Sequence, residues 1–202
     1  IALELTTNPE YFNAEQGGRN AGSDAEHAAA DYLVGVMKDI GLADVEKQAA
    51  QCDRWQFNSA SLTIDGKDYN VYTYATASTP AEGLTAEVVY VNKGTRQDYE
   101  DLDVTGKIVL LDIDQRNDWW ITYPMLEAMH QGAVGVLAAN VGGFAQIADD
   151  ALNSQDICGP VGIPTLSIGV ADSKKIQEKL KAGSVSATMK VDNEVEIDAG
   201  TT

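Results

Sequence analysis

Apolar residues along this chain change spacing twice, and each change marks a different kind of element. From Ser23 to Gly41 they recur three and four apart, at Ala25, Ala28, Ala29, Tyr32, Leu33, Val36, Met37 and Ile40. That spacing puts them on one stripe of an amphipathic helix over Asp24–Ile40. Ser23-Asp-Ala-Glu26 has the form of a capping box, and Gly41 can close the helix in the left-handed conformation. The preceding residues, 1–22, are polar and read as irregular.

From about Trp55 the period shortens to two. Ser61–Ile64 and Lys67–Tyr74 alternate on either side of Asp65-Gly66, which predicts a hairpin. Thr85–Val91 is a further strand, and the acidic stretch 92–105 is a connection. Then alternation gives way to nearly unbroken apolar runs. Ile108–Ile113 and Val134–Ala139 suit strands covered on both faces. Between them Pro124, at a plausible first helical position, begins a short helix carrying Met125, Leu126 and Met129, which Gly132 stops. A weaker helical pattern follows over 144–151, then a strand at Ile163–Ile168 with Pro164 marking a start or an edge. A charged helix runs from Asp172 to Gly183, and Val185–Val191 alternates as a last strand that Val195–Ile197 can extend. Antiparallel strands followed by βαβαβ predict an α/β fold with mixed sheets, parallel strands covered by helices on one side and a hairpin-rich sheet on the other.

At 202 residues the chain can bury a substantial core, and no apolar run approaches the ~20 residues that span a bilayer. Its net charge of −17, from 31 acidic and 14 basic residues, repels phosphate backbones and argues against a nucleic-acid partner. Two cysteines, Cys52 and Cys158, are too few for a disulfide scaffold; one long-range bridge and two buried thiols both remain open. The chain starts at Ile1 with no basic-then-apolar leader, so whatever preceded it is expected to have been removed.

Candidate chemistry is sparse. His27 and His130 stand alone, without the His-x-Asp, HExxH or paired-cysteine spacing that would gather a metal, and there is no nucleophile elbow or phosphate loop. No metal ligand and no catalytic residue is assigned. Asp112, Asp114 and Asp118 have calcium-loop spacing, but Arg116 falls where a ligand is needed and the turn glycine is missing. Lys174, Lys175, Lys179 and Lys181, with Glu178 among them, read as a solvated helix face. The loop after Ile113 carries the candidate contact residues Arg116, Trp119, Trp120 and Tyr123. It lies at the carboxyl end of a central parallel strand, where open α/β sheets place ligands, and its side chains are those enriched in binding hot spots. The same tryptophans could equally roof the core.

Three stretches in order, LDVTGKIVLLDID, PMLEAMHQGAVGVLAAN and IPTLSIGVADSKKIQEKLKAG, resemble a protease-associated (PA) domain over roughly Trp55–Val191. GGRNAGSDAEHAAADYLVGVMKDIGLADVEKQ resembles the leading segment of di-zinc aminopeptidases, relatives of glutamate carboxypeptidase and the transferrin receptor. The resemblance implies a three-layer β/β/α swivelling PA fold with an N-terminal helix. It implies residues 1–50 belonging to a peptidase domain and residues 55–197 forming the PA domain. It also implies a non-catalytic role in a secreted or cell-surface zinc-dependent aminopeptidase, shaping substrate access or mediating protein contacts. Zinc is then expected in a catalytic part outside this chain, since no position here matches the ligands. Expected partners are that peptidase domain, a peptide or protein substrate, and a second copy through the N-terminal helix. The alternative is a stand-alone module that binds protein or glycan.

Overall fold

The computed structural model describes residues 1–13, 18–114, 117, 122–142, 148–152 and 162–202. The chain divides into two compact units, one of Ile1–Gln56 with Glu194–Thr202 and the other of Phe57–Asn193.

In the first unit, α1 (Ala2–Thr7) replaces part of the irregular segment expected from composition. Its threonines return their hydroxyls to backbone carbonyls within the helix, as Thr7 does to Leu3 O at 2.8 Å, which lets a short polar segment close one turn. α2 (Asp24–Asp39) forms where the period predicts it. Ser23 Oγ accepts from the Glu26 N–H at 3.2 Å, while Glu26 Oε2 lies 3.6 Å from His27 Nε2. Gly41, at φ +87°, donates to Lys38 O and Leu42 donates to Met37 O, closing the helix. Tyr32 stacks on Tyr11 at 5.1 Å. Only Ala29 of the apolar stripe is buried, whereas Met37, Ile40 and Leu42 are 39%, 69% and 53% exposed.

The sheet has the order β2-β1-β8-β4-β5-β6-β7-β3. β1 (Gln51–Ile64) and β2 (Lys67–Tyr69) form the hairpin, with Asp65 and Gly66 both at positive φ as its two-residue turn requires. β3 (Val71–Tyr72) leaves that hairpin after Asn70 and pairs antiparallel with β7 (Thr165–Ile168), so the second arm serves two neighbours. β4 (Leu84–Tyr90), β5 (Ile108–Ile113), β6 (Gly135–Asn140) and β7 run parallel. β8 (Ser186–Thr201) pairs antiparallel with β4 and is one continuous strand through Val195–Ile197. Pro164 lies just before β7, which has a neighbour on each side and is not an edge.

Strand alternation sends side chains into two cores. Leu62, Ile64 and Met189 from the antiparallel part meet Leu110, Leu137 and Leu166 from the parallel part, and Ile176 of α4 (Val170–Ala182) joins them. On the other face of β5 and β6, Val109, Leu111, Val136 and Ala138 pack on Met125 and Ala128 of α3 (Thr122–His130). This is the β/β/α layering, nearly closed by the return of β3 to β7. It differs from the expectation in one respect: α4 serves the core between the strand layers and does not share the α3 side. Pro164 and Ile163 lie within the described chain; of the weak helix expected over 144–151, residues 144–147 lie outside the described residues and 148–151 form a bend and turn instead of helix.

Candidate functional site

Polar side chains in the second unit collect where an apolar pattern is interrupted. Asp112 is the one charge in the run of β5, and Ser173 is the one hydroxyl on the buried stripe Val170, Ser173, Ile176 of α4. They meet. Asp112 accepts from Tyr90 Oη at 2.7 Å, Ser173 Oγ at 3.3 Å and Gln177 Nε2 at 3.5 Å, and Gln177 also donates to Ser173 Oγ at 3.1 Å. The cluster therefore ties β4, β5 and α4. Burial, then the Asp112 hydrogen bond and charge, raise the Tyr90 phenol well above its usual pKa. Tyr90 and Gln177 also line a groove of about 460 Å³ together with Val88, Leu180 and Lys181. Tyr90, Ser173 and Gln177 were not singled out from the sequence, and Asp112 was noted only for its calcium-like spacing. The available signal was a polar residue inside an apolar run, which needs a buried partner.

At the carboxyl ends of β5 and β6, Asp114 accepts from Asn117 Nδ2 at 2.8 Å. A Cβ at Gly142 would fall on the Asp114 carboxylate, so a larger residue there would have to displace that side chain. Asn140, 4% exposed, accepts the Gly142 N–H at 3.3 Å, and its Nδ2 has no partner among the described residues. Of the sequence-derived contact residues, Tyr123 is 63% exposed on the first turn of α3, and Arg116, Trp119 and Trp120 lie outside the described residues. Asp118 lies outside them too. With Asp112 engaged by three donors and Asp114 by Asn117, the two described carboxylates of the calcium-like spacing are not gathered at one point.

In the first unit a cavity of about 730 Å³ is lined by Glu26, His27, Asp31, Lys47, Thr201 and neighbours. His27 Nε2 contacts Thr201 O, and Lys47 pairs with Asp31. Cys52 is a free thiol packed against Gly22 and Gly200, and Cys158 lies outside the described residues. His130 is exposed at the end of α3. Three of the four lysines of α4 form ion pairs: Lys175 with Asp172 at 2.8 Å, Lys179 with Asp65 at 2.5 Å and Lys181 with Glu178 at 2.6 Å. Hydrogen bonding to those carboxylates raises the Lys175 and Lys179 pKa values. Among the described residues no group of three or more His, Cys, Asp or Glu could hold a metal ion, so they do not fit a zinc centre.

Residues 84–176 match the family model described as PA domain. That stretch is just under half of the chain, and the fold described for it agrees with a PA domain there. Among known proteins, it is similar to "Probable leucine aminopeptidase 2" of Aspergillus fumigatus, 28% identical over 177 residues, which are 87% of this chain and 34% of that protein. Its fold matches the crystal structure of a peptidase M28 precursor from Shewanella amazonensis, with a TM-score of 0.73 and 21% identity over all of this chain and 50% of the other. It also matches BSAP, a zinc aminopeptidase from Bacillus subtilis, with a TM-score of 0.67 and 23% identity over 99% of this chain and 43% of that one. The chain spans about a third of the length of the curated relatives it matches. No described helix is long and apolar enough to cross a membrane.

Proposed function

We propose that this chain is the PA-bearing part of a longer, secreted or cell-surface zinc-dependent aminopeptidase, in which it does no chemistry itself and shapes substrate access. The observation that carries this reading is the continuous similarity to a leucine aminopeptidase over 87% of the chain, which takes in both units rather than the PA domain alone. In this reading residues 1–50, with α2, belong to the peptidase domain, and the exposed Met37, Ile40 and Leu42 are the surface that domain covers. Zinc and its ligands belong to the catalytic part, and the loop bearing Arg116, Trp119, Trp120 and Tyr123 touches the peptide substrate or a protein partner.

Two measurements test this. The 202-residue chain should show no zinc-dependent release of leucine from a leucyl anilide, while the longer protein encoded by the same gene should show it. In the longer protein, replacing Trp119 and Trp120 with Ala should raise KM for peptides several-fold and leave zinc content unchanged. Chelator-sensitive hydrolysis by the chain alone would overturn the assignment, and unchanged KM values across peptides of different length would remove the loop from it.

A further inference from the structure

The chain crosses between its two units twice, at Gln56/Phe57 in β1 and at Asn193/Glu194 in β8. On the second unit's side, both crossings are fastened to the same short segment. The Phe57 ring stacks on Tyr72 with centroids 4.5 Å apart. The Asn193 carboxamide donates to Tyr74 O at 3.1 Å and Thr76 O at 3.2 Å. Ser78 Oγ accepts the Asn193 N–H at 3.0 Å and donates to the Asn193 carbonyl at 2.8 Å. Thr79 does the same for the residue two before it: its N–H reaches Val191 O at 2.9 Å and its hydroxyl accepts the Val191 N–H at 3.1 Å. Two hydroxyl side chains thus stand in for a neighbouring strand, satisfying backbone groups of β8 beyond the Leu84–Met189 pair, where its ladder with β4 ends.

The other end of this segment is anchored in β7. Thr73 Oγ1 donates to Thr165 O at 2.8 Å and contacts Thr76 Oγ1 at 3.0 Å, and both threonines are fully buried. Along β8 the alternation of buried and exposed residues holds through Asn193, and residues 194 and 196–199 are exposed. Local opening costs least where buried contacts and multiple hydrogen bonds stop.

We infer that Thr73–Thr79 is a strap that fixes where β8 flexes, holding that point at Asn193/Glu194 and keeping it out of the second unit. This goes beyond the aminopeptidase reading and stands whether or not a peptidase is attached. The buckle is the Asn193 carboxamide, since it ties the exit of β8 to two carbonyls of the strap.

Hydrogen–deuterium exchange of the whole chain tests it. Unmodified protein should show a step in protection along β8, with amides 187–193 slow and amides 194–197 at least tenfold faster. Asn193→Leu keeps the backbone bonds to Ser78 but removes the buckle, and the amides of Thr79, Val191 and residue 193 should then exchange at least tenfold faster with β5 and β6 unchanged. Ser78→Ala removes the acceptor of the Asn193 N–H itself, so that amide should exchange faster still, while Thr79 and Val191 move by a smaller factor than in Asn193→Leu. Protection that declines smoothly along β8 through Asn193/Glu194 in unmodified protein would overturn the inference. So would Asn193→Leu leaving Thr79 and Val191 unchanged, or a rise of equal size in β5 and β6.

Discussion

Asp112 offers a quantitative test of how the parallel strands are tied to α4. It accepts three hydrogen bonds, but their lengths of 2.7, 3.3 and 3.5 Å are unequal, and only the bond from Tyr90 has the length of a strong charge-assisted contact. A bond to a charged acceptor contributes about 1.5–3 kcal/mol, and an ordinary one about 0.5–1.5 kcal/mol. A double-mutant cycle of Tyr90→Phe with Asp112→Asn is therefore expected to give a coupling of about 1–2 kcal/mol. The corresponding cycle with Ser173→Ala should give roughly half as much, and Gln177→Leu close to none. Urea denaturation followed by far-UV circular dichroism measures all three. The pH dependence is a second readout. The folded pKa of Tyr90 lies above the ordinary 10.0, so its contribution is fully present below pH 10 and is lost as pH rises through the folded value. Tyr90→Phe should make the loss of stability above pH 10 shallower, though not abolish it, because burial and then the Glu127 charge raise Tyr99 in the same direction. A Tyr90–Asp112 coupling below about 0.3 kcal/mol, or one smaller than that of Ser173, would refute the ranking by bond length.

Met125 is fully buried under α3, so Met125→Ala should cost about 2–5 kcal/mol in chemical denaturation while leaving the near-UV signal of the other core native-like. The expected pairing of two copies through the α2 stripe predicts self-association of the isolated chain, read by light scattering at tens of micromolar, and its loss when Val36 and Met37 are replaced with Glu, because full burial of each large apolar side chain contributes roughly 1.5–3 kcal/mol; a monomeric unmodified chain would sink the pairing. The sheet should stay folded. Toward acid, Asp98 is pushed up by burial but held low by stronger combined hydrogen bonds from Thr95, Asn92 and Lys93, and Asp103 is held low by the Thr105 N–H. Both carboxylates contribute stability above the ordinary 3.8 that is lost as pH falls through their lowered values. Asp98→Asn should therefore reduce the steepness of the fall in Tm below about pH 4.

The sequence alone determined the elements whose signal is local. α2 needs only its period, Ser23 and Gly41, and the β1–β2 turn needs only Asp65-Gly66, because caps and positive-φ turns are decided by neighbours within a few residues. β5 and β6 were legible because a strand buried on both faces must be apolar throughout, and the PA likeness followed from the same stretches. Of the polar sites, Asp112 and Asp114 were visible as residue types, but the partners that define their roles were not. Tyr90 and Ser173 lie 22 and 61 residues from Asp112 along the chain, and nothing local announces that they meet. Only the tertiary structure decided that Asn70 splits one arm between β1 and β7, since which edge a strand joins depends on how the whole sheet curls. It likewise placed α3 and α4 against different cores, through strand order and not through any property of the helices themselves.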